Sequence, residues 1–154
     1  MADVSIYWFR DDLRLEDLPG LAAAAQAGHV IPVFVRDPDL GEAWCIGSAS
    51  QWWLHHSLLS LRTRLGEQGL ELILKSGETV TALTALATQT GATTVYCSRH
   101  YQPWAGELET TLKDSLSKQG VGLKRYPGTL LHEPEDVATG GGTPFKVFTP
   151  FWRA

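Results

Sequence analysis

The sequence predicts an α/β domain built on a doubly wound, five-stranded parallel sheet of strand order 3-2-1-4-5, followed by an irregular C-terminal tail. Two observations carry this prediction. Short apolar runs alternate with helix-like segments from Val4 to Tyr126, the pattern of right-handed βαβ units. After Tyr126 the alternation stops, and Pro127, Gly128, Pro134, the Gly140-Gly141-Gly142 run, Pro144 and Pro150 punctuate the chain. Residues 1–126 are therefore read as the domain and residues 127–154 as a segment wrapping it and leading elsewhere. The length of 154 residues suits one core.

Each element has a local reason. Val4 to Phe9 forms the first strand. Asp17 is placed to cap the first helix, Pro19 is tolerated in its first turn, and Gly28 follows its end. Between them, Leu21-Ala22-Ala23-Ala24-Ala25 has high helix propensity. Val30 to Val35 forms the second strand, in which Pro32 removes one ladder donor. Ser48 and Gln51 fit a capping box for the second helix, whose buried stripe is Leu54, Leu58, Leu61 and Leu65. Leu70 to Leu74 is the third strand, and the third helix spans Thr79 to Thr90 with Gly91 ending it. Thr93 to Cys97 is the fourth strand. Trp104, Leu108, Leu112 and Leu116 mark the fourth helix, stopped by Gly120. Val121 to Tyr126 is the fifth strand, and its Lys124 and Arg125 suit a sheet edge.

Composition excludes several classes. The net charge is −4, and no Lys- or Arg-rich stripe marks a surface for gripping nucleic acid. No apolar run has the length of a membrane helix, and the first residues lack the basic region and cleavage site of a signal peptide. Cys45 and Cys97 have no CxxC neighbour and read as reduced thiols of a cytoplasmic protein. No metal site and no membrane contact are expected, and a monomer is. The exposed aromatics at the end, Phe151 and Trp152, are read as the mark of a piece of something longer.

In open α/β sheets ligands bind beyond the carboxyl ends of the strands, where the strand order reverses. Here that point lies between strands one and four. Two loops flank it, Arg10-Asp11-Asp12-Leu13-Arg14 and Ser98-Arg99-His100-Tyr101-Gln102-Pro103, and the loop from Arg36 to Ser48 can reach the same edge. The first loop has no glycine, which disfavours an ordinary dinucleotide site, and no GxxxxGK[ST] loop occurs. Arg10, Asp11, Asp12 and Arg14 read as a local ion-pair network, or as a brace to a following domain. His55 and His56 are adjacent and point about 100° apart on a helix, so they do not share a metal as an i, i+4 pair would. Of Trp52 and Trp53, one is expected to pack on the sheet and the other to line the loop region or a domain contact. No nucleophile–base arrangement and no paired carboxylates appear, so no catalytic residue is assigned.

Four stretches together resemble the DNA photolyase/cryptochrome family: Trp8 to Leu15, Gly47 to Leu58, Val95 to Pro103, and Leu130 to Pro134 followed by Pro144 to Arg153. Their order and spacing cover essentially the whole chain. The resemblance implies a Rossmann-like N-terminal domain that holds an antenna chromophore. It also implies a larger helical domain, absent here, that binds FAD and ultraviolet-damaged DNA. The parent protein is then expected to be a deoxyribodipyrimidine photolyase that splits cyclobutane pyrimidine dimers with blue light, a carbon–carbon lyase whose chemistry lies outside these residues. A cryptochrome blue-light receptor and a stand-alone nucleotide-binding module are the alternatives. The expected chromophore-binding residues are Phe34, Asp37, Gly47, Ser50, Trp53, Ser98, Arg99, His100 and Tyr101. The family patterns are not intact: His100 stands where deazaflavin binders tend to carry an acid, Ser50 where they tend to carry arginine, and Ala105 where some folate binders have glutamate. Leu18 replaces the family's usual asparagine, and Cys97-Ser98 replaces W-N. Methenyltetrahydrofolate is the first candidate, an empty or vestigial pocket the next, and a deazaflavin less favoured.

Overall fold

The computed structural model describes residues 3–38 and 46–153. Five strands, β1 (Asp3–Phe9), β2 (Gly28–Arg36), β3 (Ile73–Ser76), β4 (Thr94–Ser98) and β5 (Gly122–Tyr126), form one sheet of order β3-β2-β1-β4-β5. Every neighbouring pair is parallel. The predicted α/β architecture and strand order are the ones observed.

Side-chain alternation along the strands divides the core into two layers. Ile6 and Trp8 of β1, Val33 and Val35 of β2, and Val95 and Cys97 of β4 share one cluster with Leu83, Leu86, Leu112 and Leu116. Those leucines belong to helices α3 (Thr79–Thr90) and α4 (Ala105–Ser117). Tyr7, Phe9, Phe34 and Tyr96 point the other way, toward Ala24, Leu61 and Leu65. These come from α1 (Pro19–Ala27) and α2 (Ser48–Glu67). Strands covered by helices on both faces are what a doubly wound sheet requires.

Pro32 is buried in β2 opposite Tyr7, and the ladder to β3 starts one residue later at Val33. Gly28 closes α1 and opens β2 at once. Its φ is +149°, and a Cβ there would lie 2.3 Å from the Asp3 carbonyl oxygen. The close β1–β2 approach at this corner therefore needs glycine.

Local signals misplace several ends. Asp17 does not cap α1; it sits at φ +55°, and Leu18 is the capping residue, with no side-chain bond. Ser48 and Gln51 make no capping box, because Gly47 occupies the cap position and Gln51 Nε2 instead donates to the Ile46 carbonyl. β3 begins at Ile73 rather than Leu70; Leu72 is buried against the α1–α2 layer before the strand starts. β4 and β5 each begin one residue late, and β2 is longer than predicted at both ends. α3 matches its predicted span, capped by the Glu78 carboxylate on the Val80 and Thr81 N–H groups and ended by left-handed Gly91. The tail is irregular apart from a six-residue helix, α5 (Phe148–Arg153), that the proline-rich sequence concealed. Cys45 lies outside the described residues, and Cys97 is a buried free thiol whose burial pushes its pKa up to about 12.

Candidate functional site

β1 and β4 lie side by side and release their chains at the same sheet edge. Arg10 leaves β1 and turns inward, its guanidinium 4.4 Å from the centre of the Trp8 ring. Its Nη1 donates to Glu109 Oε1 at 2.5 Å and to the Ser98 carbonyl at 3.3 Å. Arg125 on β5 donates to the other Glu109 oxygen at 2.7 Å, and the His100 backbone N–H reaches Oε1 at 3.4 Å. Burial raises the proton affinity of Glu109, but bonds from Arg125 and Arg10 outweigh it and hold its pKa below the ordinary value. One carboxylate on α4 thus ties together β1, β5 and the β4–α4 loop.

The two flanking loops also meet directly. Gln102 Nε2 donates to Asp11 Oδ2 at 3.2 Å, and His100 Nε2 lies 3.5 Å from the same oxygen. Burial, reinforced by the Arg10 charge, lowers the His100 pKa to about 4, so the ring is neutral at neutral pH. Arg14 grips Asp12 through two nitrogens at 2.9 and 2.8 Å, the local pair that the charge pattern anticipates. Arg10 leaves that local set for Glu109 on α4.

Between β2, the β1–α1 loop and the first half of α2 lies a crevice of about 800 Å³. Phe34 and Val35 contribute from the sheet; Ala49, Ser50, Trp53, Leu54 and Ser57 contribute from α2; Arg10 and Trp104 contribute from the switch-point side. A smaller recess of about 530 Å³ adjoins it and shares Asp11, Leu13, Trp53 and Ser57. The crevice exists because α2 packs unevenly. Leu61 and Leu65 are buried, while no residue from Ser48 to Ser60 is fully buried. Trp52 and Trp53 are 62% and 69% exposed, so neither packs on the sheet, contrary to expectation. Leu54, Leu58, Leu61 and Leu65 already occupy that face.

The structure brings Phe34, Asp37, Ser50 and Trp53 to the crevice, with Gly47 between the lining residues Ile46 and Ala49. Asp37 also accepts hydrogen bonds from the Thr79 N–H and hydroxyl, both at 2.8 Å, at the start of α3. Ser98, Arg99, His100 and Tyr101 do not line it. Ser98 is buried beside the Tyr7 hydroxyl at 3.2 Å. Arg99 holds Glu133 and Glu135 at 2.5 and 2.8 Å, and the Tyr101 hydroxyl donates to Glu133 at 2.6 Å. Burial and that bond push the Tyr101 pKa up to about 12. These two side chains clamp the tail. His100 packs edge-on to Trp104, which does line the crevice.

Glu109 and Trp104 were not singled out for the site from sequence. A glutamate among helical leucines reads as solvent-facing, yet Glu109 stands four residues after Ala105 and three before Leu112, on the buried face. That spacing was the available signal. No helix among the described residues is long and apolar enough to cross a membrane.

A parallel sheet, a reversal of strand order and a crevice beside it define a Rossmann-like α/β domain with the form of a ligand-binding module. The DNA photolyase family model matches residues 5–154, and the chain belongs to that family. It is 44% identical over 150 residues to the deoxyribodipyrimidine photo-lyase of Agrobacterium fabrum, covering 97% of this chain and 31% of that protein. Cryptochrome-2 of Arabidopsis thaliana is 38% identical over 150 residues, 97% of this chain and 24% of that one. The crystal structure of a bacterial class III photolyase from Agrobacterium tumefaciens superposes with a TM-score of 0.90 at 42% identity, covering 99% of this chain and 31% of that chain. The chain thus spans less than a third of the length of these relatives.

Proposed function

We propose that this chain is the light-harvesting domain of a deoxyribodipyrimidine photolyase, and that the crevice between β2 and α2 holds its antenna chromophore. The observation that carries the proposal is the crevice itself: about 800 Å³, at the carboxyl end of the sheet, with Phe34, Leu54, Trp53 and Trp104 as its apolar walls. Its volume falls in the range of roughly 300–1,000 Å³ usual for small-molecule sites, and flat rings suit such walls. Methenyltetrahydrofolate is the first candidate and a deazaflavin the second. When bound, the chromophore absorbs near-ultraviolet or blue light and passes on the excitation energy. Phe34 and Leu54 bind its ring, Trp53 and Trp104 shield it from water, and Ser50 and Ser57 offer hydroxyls beside it. Residues 127–154 lead, in this reading, to an FAD-binding helical domain where pyrimidine dimers are split.

The test is retention of chromophore. The protein is incubated with methenyltetrahydrofolate or a deazaflavin, desalted, and its absorbance recorded. Wild type is expected to keep one of them, and Ser50→Trp, which fills the crevice from an exposed helix position, is expected to lose it. Equal retention by both proteins, or by neither, refutes the site. The receptor alternative draws support from the 38% identity to Arabidopsis cryptochrome-2. Light-dependent loss of cyclobutane dimers with the longer protein would favour repair over it.

A further inference from the structure

The β4–α4 loop is gripped on two faces. Alternate side chains of an extended segment point opposite ways. Arg99 and Tyr101 face the tail, and His100 and Gln102 face the β1–α1 loop. The tail side is the strong one. Arg99 binds Glu133 at 2.5 Å and Glu135 at 2.8 Å, and the Tyr101 hydroxyl donates to Glu133 at 2.6 Å. The Arg99 guanidinium also lies over the Tyr101 ring, 5.5 Å from its centre. Backbone seating adds to this grip, because Gly128 passes so close to β4 that a Cβ there would lie 2.9 Å from Ser98 Cβ. The inner side is poorly satisfied. Gln102 Nε2 and His100 Nε2 reach a single Asp11 oxygen at 3.2 and 3.5 Å. Four buried atoms on or beside that face, Arg10 Nη2, His100 Nδ1, Gln102 Oε1 and Trp104 Nε1, find no hydrogen-bond partner among the described residues.

A buried polar atom without a partner favours any arrangement in which it meets water or another polar group. The loop therefore occupies a position that its inner face stabilises little, and the bonds that keep it there come from the tail. Its two ends are fixed. The Arg99 N–H donates to the Tyr126 carbonyl at 2.8 Å, and Ala105, the first residue of α4, is fully buried. The segment free to move lies between them, from His100 to Trp104, and Trp104 is part of the crevice wall. We propose that the tail acts as a strap on this loop. Seated on Arg99 and Tyr101 through Glu133, it holds the loop inward and keeps Trp104 in the wall. When the strap lifts, the loop swings out and the wall opens. The position of the tail is thereby reported at the crevice. Only one short segment changes its packing, so the sheet and α4 stay as they are. The inference needs the crevice only as a cavity and stands apart from what fills it.

Native-state hydrogen exchange, followed residue by residue by NMR, tests the strap. Glu133→Gln weakens both grips at once. Gly128→Ala pushes the tail off Ser98 without altering any side chain that holds the loop. Each variant should speed exchange at the His100, Tyr101 and Gln102 amides and at the Trp104 indole N–H by about fivefold or more, the effect of one lost charge-assisted hydrogen bond. Gly28→Ala, a lesion at the opposite end of the sheet, should leave these sites unchanged. Circular dichroism reports the fold of each variant, and the two tail variants reach the same state by independent routes, so one suffices if the other does not fold. Faster exchange confined to residues 129–139, with the loop and the indole as protected as in wild type, overturns the inference. Unchanged exchange throughout both tail variants overturns it too, as does equal acceleration by Gly28→Ala. Failure of wild type to retain a chromophore removes the light-harvesting reading alone.

Discussion

Replacing Glu109 with leucine leaves the Arg10 guanidinium, whose side chain is 4% exposed, without its carboxylate. Arg125, with a side chain 49% exposed, can turn into water, so Arg10 dominates the cost. Breaking a buried pair from one side typically costs about 3–5 kcal/mol. Arg10 keeps the Ser98 carbonyl and the Trp8 ring, which places the expected loss near the lower end, about 3 kcal/mol. For a domain of this size that lowers Tm by about 6–12 °C. Arg10→Met with Glu109→Leu removes both charges and fills the space, and should cost about 1 kcal/mol or less. The assay is urea unfolding of the four proteins of the double-mutant cycle, with the denaturant slope checked for constancy. The coupling should be about 2 kcal/mol or more. The Glu109 carboxyl lies below its ordinary value of 4.5. Its contribution is therefore present above that value and fades as pH falls through the folded one. The double variant should accordingly show a shallower acid limb. A single-variant loss under about 1 kcal/mol, or strict additivity, would refute the reasoning.

Three further outcomes follow from geometry. His100 has an ordinary pKa of 6.5 and a folded value of about 4, so the unfolded chain binds the extra proton between them. Stability should fall as pH drops through that window, by about 2 kcal/mol after allowance for solvent screening, and His100→Asn should flatten the fall in a pH series of unfolding curves. Gly28→Ala meets the Asp3 carbonyl and an unfavourable φ, and should cost about 2–5 kcal/mol, whereas Gly66→Ala, with open space around it on α2, should stabilise by about 0.5–1 kcal/mol. Equal effects in thermal unfolding would sink that contrast. Arg99→Gln frees Glu133 and Glu135 and should cost about 1 kcal/mol while speeding protease cleavage within residues 134–144; unchanged digestion would show that the clamp does not hold the tail.

Fold was more legible than site, for physical reasons. Strand–helix alternation is a statement about burial, and burial is what Ile6, Val33, Val95 and the leucines of α2 and α4 encode. Helix ends were less legible because competing partners take the capping groups, as when Gln51 turns to Ile46 instead of the helix N-terminus. Part of the crevice could be reached by topology alone: the carboxyl end of β2 brings Phe34 and Asp37 there. The loop after β4 could not be apportioned that way. Whether Arg99 and Tyr101 face a ligand or the tail depends on Glu133, more than thirty residues downstream. Glu109 was invisible because its role needs Arg10 and Arg125 at once, and no local window contains all three.

The uneven seating of α2 has a corollary. The helix is moored by Leu61 and Leu65 and overhangs from there toward Ser48, like a cantilever. Substitutions at Ser50, Trp53 or Ser57 on the overhanging half reshape the cavity wall without touching the core layer that Leu54 and Leu58 pack against. The stretch of the fold that shapes the crevice is thus the stretch on which burial places the fewest demands.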